Sequence, residues 1–361
     1  MTNKILILLE DKKPRGYYGP SNIISTLESF IGLNLNFDVK IIDLLEIQKM
    51  DINFLKVLKD FLINLKIIFN GFWRYDLLYI HYFKGFHYLI YTLIPGLLKT
   101  SILQIYFPLR PIWVKLLNIY IKKFIVMNPY MFKYLSNIGI NESKIEIIPP
   151  PIDIDFYKPL NREKLLLKYE IPHDKTIILY HGRTATVRGL MMFLNTLKDL
   201  KNEKNLFAVL SLADLDDEDM SVNDVEDYIQ KEGLENITKR FIGKNNPLEM
   251  YNLADIVVFP FLTAGAAICP PLSVLEAMSC GKVVVTSNIE ELGLNYIIKN
   301  NQNGFLINPT EKDLIKCIKD LKFKDDNNLK KIEFNARASI EKSYSIKVVA
   351  EKILTISEEL C

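Results

Sequence analysis

Cysteine is scarce in this 361-residue sequence: Cys269, Cys280, Cys317 and Cys361 are the four, all in the second half. None forms a C-x-x-C pair or stands with a histidine at metal-ligand spacing, which argues against a cysteine-based metal centre and fits a reduced, cytoplasmic protein. An excess of charge is also missing. Lys plus Arg number 45 and Asp plus Glu 43, so no overall field draws the chain to nucleic acid or to acidic polymers, and any anion site has to be local. Long hydrophobic runs are absent too. The first, Ile5 to Leu9, is too short for a signal segment and meets Glu10, Asp11, Lys12 and Lys13 at once, so it reads as a buried strand. The stretches 61–73 and 86–98 carry Lys66 or Pro95 and fall short of the roughly 20 residues that span a bilayer. There is no internal repeat and no low-complexity tract.

What is present is a large apolar fraction, 49%, enough for two ordinary domains. Short aliphatic runs alternate with longer helical patterns, which predicts parallel sheets with crossover helices, an α/β fold. A first series holds Lys4–Leu9, Val39–Asp43, Leu77–His81, Ile102–Tyr106, Phe124–Met127 and Ile145–Ile148. It ends at Pro149-Pro150-Pro151, which continues neither a helix nor a central strand, so a junction is expected just beyond, near Pro159. A second series runs through Thr176–Tyr180, Leu206–Ser211, Thr238–Ile242, Ile256–Pro260, Lys282–Thr286 and Gly304–Ile307, and a long helix is expected over Lys342–Leu360. Residues 61–98 interleave aromatic and aliphatic side chains with Lys59, Lys66, Arg74, Lys84 and Lys99. That composition suits a membrane interface, and equally aromatic core helices.

Three groups of residues could carry chemistry. Strand Thr176–Tyr180 runs into His181-Gly182-Arg183, and Arg188-Gly189 follows at an expected helix start. Ligands of doubly wound sheets sit beyond the carboxyl ends of the strands, where glycine admits the backbone and helix N-termini favour anions. Two arginines there could grip a diphosphate with bidentate bonds, or simply be exposed loop arginines. Glu276 lies in a helix between the last-but-one pair of strands and could accept two vicinal hydroxyls of a ribose. Ser273 and Glu276 also have the spacing of a capping box, in which the carboxylate serves only a backbone N–H. The acidic segment Asp214–Asp219 has a metal-like Asp-x-Asp spacing that is more often a solvated turn.

Taken in order, these pieces resemble the retaining nucleotide-sugar glycosyltransferases of family 4, whose GT-B fold sets two Rossmann-like domains facing across a cleft. The resemblance covers most of the chain. Gly19-Pro20-Ser21 looks like the N-terminal glycine loop, and Lys144 to Pro149 with Asp153 and Phe156 is similar to the interdomain segment. His181-Gly182-Arg183 with Arg188-Gly189 matches the diphosphate signature, and Leu253-Ala254-Asp255 through Pro260 matches a further motif. Leu275 to Gly281 with Val283–Ser287, and Asn303 to Leu306, complete the set, and the helix after Tyr344 resembles one that returns to the N-terminal domain.

The resemblance implies an acceptor-binding domain over 1–158, rejoined by 344–361, and a donor-binding domain over 159–343. It implies that Arg183 and Arg188 hold the diphosphate and that Glu276 holds the ribose. Gly19, Gly182 and the helix start at Leu272 and Ser273 join them as donor-binding positions. No cofactor and no metal are implied, only a nucleoside-diphosphate sugar as substrate and a glycan or lipid-linked acceptor, at the inner face of a membrane if 61–98 docks there. Two departures stand out. The family places a second glutamate where this chain has Ile268, and no carboxylate occurs between Asp255 and Glu276. The family's N-terminal histidine is also missing after the fourth strand, which leaves His81, at the carboxyl end of the third, or His87 as candidates near the reacting centre, or as structural histidines. The departures keep two alternatives open: a degenerate GT-B protein that binds without turnover, and a nucleotide-sugar epimerase.

Overall fold

The computed structural model describes residues 3–10, 37–44, 76–82, 100–105, 110–213, 219–243, 245–267, 269–322 and 326–360. The chain divides into two compact units, Met1–Pro151 with Ile346–Cys361, and Ile152–Ser345.

The first unit holds strands β1 (Asn3–Glu10), β2 (Phe37–Leu44), β3 (Leu77–Tyr82), β4 (Thr100–Ile105), β5 (Lys123–Val126) and β6 (Ile145–Ile147) in one parallel sheet ordered β2-β1-β3-β4-β5-β6. Helix α1 (Pro111–Leu117) follows β4 and α2 (Pro129–Asn137) follows β5. Asn128 starts α2 by accepting the Met131 amide, with Pro129 in the first helical position where its missing N–H costs nothing. The core of this unit gathers Ile80, Leu103, Val114, Phe124, Val126, Met131 and Leu135.

The second unit opens with α3 (Arg162–Lys168) and β7 (Thr176–Arg183), then α4 (Leu190–Leu200), β8 (Leu206–Ala213), α5 (Val222–Glu232), β9 (Thr238–Ile242), α6 (Pro247–Leu253) and β10 (Ile256–Phe259). It closes with α7 (Leu272–Ser279), β11 (Val283–Ser287), β12 (Phe305–Ile307), α8 (Glu311–Lys322) and α9 (Asp326–Ser343); α10 (Ile346–Leu360) returns to the first unit. Its sheet is parallel and ordered β12-β11-β10-β7-β8-β9. The near-continuous apolar runs of β10 and β11 are buried throughout, as expected for strands covered on both faces. The chain leaves β7 toward β8 on one side and later crosses to β10 on the other, so the topological switch point lies between β7 and β10.

Two expectations need correction. The division falls between Pro151 and Ile152 rather than near Pro159, because the intervening segment is bonded into the second unit. Ile152 N–H donates to Tyr344 O, Ser279 Oγ–H to Tyr157 O, and Asn252 Nδ2–H to Lys158 O. The terminal helix is also not continuous from Lys342: α9 stops at Ser343, and Ser345 pairs with Ile152 in an isolated bridge before α10 begins. Among the described residues, no helix is long and apolar enough to cross a membrane.

Candidate functional site

The carboxyl end of β7 carries His181, Gly182 and Arg183, followed by a 3-10 turn, Thr186–Arg188, and Gly189 at the start of α4. Gly189 has φ +74°, and a Cβ there would lie 1.8 Å from the Pro260 carbonyl oxygen. Only glycine lets this turn close onto the end of β10, where Leu262 N–H also donates to Val187 O. The close approach carries Arg188 onto the Phe261 ring, its guanidinium 5.6 Å from the centroid. Gly182 is under no such constraint, since a Cβ would meet nothing nearer than 3.7 Å. Asp255 secures the other end of the strand: its carboxylate accepts Ile177 N–H at 2.7 Å and pairs with Arg162 at 2.7 Å.

Helix α7 starts from Pro271, whose extended backbone offers no side-chain cap, so the first-turn amides at Leu272 and Ser273 are left for water or a ligand. The capping box read from Ser273 and Glu276 does not form. The helix begins before Ser273, which puts Glu276 in the middle of α7 with its side chain buried. Its carboxylate accepts a hydrogen bond from the Tyr251 hydroxyl of α6, Oη to Oε2 3.1 Å, and Tyr157 faces the same carboxyl. Burial pushes Glu276 up from 4.5 to about 7, against the opposing pull of the two tyrosine hydroxyls. The Tyr251 ring in turn stands edge-on to His181, centroids 5.1 Å apart, and His181 Nδ1 lies 3.0 Å from Ser211 Oγ. Burial first, and the Arg188 charge second, lower His181 to about 4, so it is neutral near pH 7.

Arg183, Arg188, Glu276 and the start of α7 therefore belong to one end of one sheet. They are linked through Tyr251, His181, Phe261 and the Gly189 turn. His81 lies on β3 in the first unit and its side chain is outside the described residues, as are Gly19, His87, Ile268 and nearly all of 61–98. Of the acidic segment only Asp219 is described, and its carboxylate accepts Thr186 N–H at 2.8 Å. No cluster of metal-binding side chains occurs among the described residues. Tyr251 and Tyr157, which face Glu276, were not singled out in the sequence. An isolated Tyr in an amphipathic segment carries no signal of the carboxylate it will meet.

Residues 161–339, a stretch that lies within the second unit, match the model of the family described as Glycosyl transferases group 1. The chain is 26% identical over 225 residues to the UDP-Gal:alpha-D-GlcNAc-diphosphoundecaprenol alpha-1,3-galactosyltransferase of Escherichia coli, covering 61% of this chain and 55% of that protein. It is 27% identical over 188 residues to the N,N'-diacetylbacillosaminyl-diphospho-undecaprenol alpha-1,3-N-acetylgalactosaminyltransferase of Campylobacter jejuni, covering 50% of this chain and 46% of that protein. The chain thus spans about half the length of these curated relatives. Among solved structures, a glycosyltransferase from Rickettsia africae superposes with a TM-score of 0.81 at 19% identity over 99% of this chain and 98% of that one. The Anabaena protein HepE, crystallised with UDP, does so with a TM-score of 0.78 at 18% identity over 99% of this chain and all of that one. The fold is the α/β GT-B fold, with two Rossmann-like domains.

Proposed function

We propose that this chain, a GT-B fold carrying a glycosyl transferases group 1 domain, moves a sugar from a nucleoside-diphosphate sugar to a hydroxyl of a glycan or lipid-linked acceptor, with retention of configuration and without a metal. The observation that carries the reading is the convergence of Arg183, Arg188, the uncapped start of α7 and Glu276 at the carboxyl end of one parallel sheet. Arg183 and Arg188 meet the diphosphate, the amides of Leu272 and Ser273 add to its charge stabilisation, and Glu276 receives the ribose hydroxyls. The bond from the sugar's anomeric carbon to the phosphate oxygen breaks, and the bond to the acceptor oxygen forms on the same face. The departing phosphate, held by the arginines, takes the acceptor proton. The second unit binds the donor and the first the acceptor, and the family resemblance would make Gly19 a donor-binding position and His81 a catalytic one.

A lipid-linked acceptor is favoured by the two relatives whose names specify diphosphoundecaprenol substrates. The first unit adds its own support. From residue 77 to residue 141 there is no Asp or Glu, while Lys84, Lys99, Arg110, Lys115, Lys122, Lys123 and Lys133 fall in that span. Helix α1 and the turn after it expose Ile112, Leu116 and Ile119 in one stripe beside exposed Arg110, Lys115 and Lys122. This stripe, and the aromatic and basic composition of 61–98, suit peripheral contact with an anionic membrane.

The test is a panel of nucleotide sugars incubated with the protein, with and without lipid and glycan acceptors, in chelator. Acceptor-dependent nucleotide release, with the anomeric configuration of the product read by NMR, is the expected result. Abolition by chelator and rescue by a divalent ion overturns the metal-free mechanism. An epimeric sugar overturns transfer, as does saturable binding without turnover, the outcome that the missing carboxylate at Ile268 would produce in a degenerate enzyme.

A further inference from the structure

The donor reading assigns a task to Glu276 but not to the residues that hold it. We propose that Tyr251, assisted by Tyr157, is the positioning residue that orients the Glu276 carboxyl to receive the ribose diol. The inference rests on the nucleotide-binding reading and adds to it a residue that touches no ligand.

A carboxylate at the end of a flexible side chain in the middle of a buried helix has no preferred direction of its own. Here the direction is set from outside α7. The Tyr251 hydroxyl reaches Oε2 at 3.1 Å from α6, a separate element, and its ring is fully buried between His181, centroids 5.1 Å apart, and Phe259, 6.5 Å apart. Tyr157, with its ring 6.3 Å from that of Tyr251, faces the same carboxyl from the segment that enters the second unit. That segment is itself held: Ser279 Oγ–H and Arg337 Nη1–H both donate to Tyr157 O. A carboxylate has about four lone-pair positions. One taken by the Tyr251 hydroxyl, with Tyr157 beside the same carboxyl, holds the group from outside α7 and leaves lone pairs for a vicinal diol.

The arrangement also joins the two ends of the proposed ligand. Tyr251 packs on His181, which precedes Arg183, and Phe259 stacks on Phe261, over which Arg188 lies. The ribose carboxyl and the phosphate arginines are thus registered to each other through aromatic rings, which are rigid and have few rotamers.

A tyrosine hydroxyl donates to the ionised carboxyl and stabilises it, so its loss favours the protonated form. The groups that face this carboxyl are Tyr251 of α6, Tyr157 of the entering segment and Cys280 at the end of α7; His181 stands edge-on to the Tyr251 ring, with the Arg188 charge acting on it. Tyr251→Phe keeps the ring packing and removes only the donor. Binding of UDP, GDP and ADP to the full chain is measured by calorimetry from pH 6 to pH 9, on the wild type, Tyr251→Phe, Tyr157→Phe and Glu276→Gln, with melting temperature as a control of folding. For the nucleotide that binds, we expect Tyr251→Phe to weaken affinity about tenfold at neutral pH, the loss of one charge-assisted bond. The midpoint of the pH dependence should move upward by about one unit, and Tyr157→Phe should shift it in the same direction by less. A role confined to packing moves neither. An unchanged midpoint in Tyr251→Phe overturns the proposal when Glu276→Gln still weakens binding. No effect of Glu276→Gln, or no binding of any of the three nucleotides, overturns the nucleotide reading itself.

Discussion

Replacing Glu276 by Gln keeps the shape of the side chain and removes its titration. In the folded protein burial raises the carboxyl from 4.5 to about 7. Between those values the native state keeps a proton that the unfolded chain releases, so this group's contribution is fully present below the unfolded value and is lost as pH rises through the folded one. A pKa unit corresponds to about 1.4 kcal/mol. From about pH 5 to about pH 8 the wild type should therefore lose about 2.5 kcal/mol relative to Glu276→Gln. His181 has the opposite sign, since a histidine lowered from 6.5 to about 4 contributes stability that is lost as pH falls through that range. It is present in both proteins, so its slope cancels in the difference. Urea denaturation of both proteins at several pH values, followed by circular dichroism, measures that difference. Parallel curves would mean that Glu276 is ionised over the whole range, and would refute the account of its burial.

Arg183→Ala and Arg188→Ala should each weaken UDP binding by about 1.5–3 kcal/mol while changing uridine binding much less, because a guanidinium meets phosphate and not base. Equal losses for both ligands would remove the diphosphate assignment. Gly189→Ala should destabilise the protein by more than about 2 kcal/mol in chemical denaturation. Gly233→Ala, at a similar positive φ but with nothing within 4 Å of the added Cβ, should cost about 1 kcal/mol. Equal costs would mean that the contact with Pro260 is not what demands glycine. The protein should co-sediment with phosphatidylglycerol vesicles and much less with phosphatidylcholine ones. Binding should weaken with salt and fall on replacing Ile112, Leu116 and Ile119 by Ser, or Lys66, Arg74 and Lys84 by Gln. Failure to bind at low salt would point to an acceptor in solution.

How much of this was legible in the residue order depends on the range of the interactions involved. Alternating aliphatic runs and helical patterns announced two series of parallel strands, because a strand buried on both faces is apolar along its own length. His181-Gly182-Arg183 and Arg188-Gly189 stood out for the same reason. A turn that needs a positive φ and a helix start are events of a few neighbouring residues. The place of the arginines at the end of β7 followed from that alone.

What Glu276 does could not be settled locally. A capping box requires the serine to stand just outside the helix, and the helix start is fixed by the extended backbone of Pro271, not by the spacing of Ser273 and Glu276. Its real neighbours, Tyr251 and Tyr157, come from α6 and from the segment entering the unit, and only the packing of α7 against them takes the carboxylate out of water and changes its proton affinity. The limit of the second unit at Ile152, and the interruption of the last helix at Tyr344 and Ser345, are one event of the same kind. A single backbone hydrogen bond between residues far apart in the chain ties the two together. The residue order determined which elements form and which chemistry they carry, since each is written within a few residues. Which side chain faces the carboxylate, and where one unit ends, were decided by contacts that exist only once the sheet and its helices have packed.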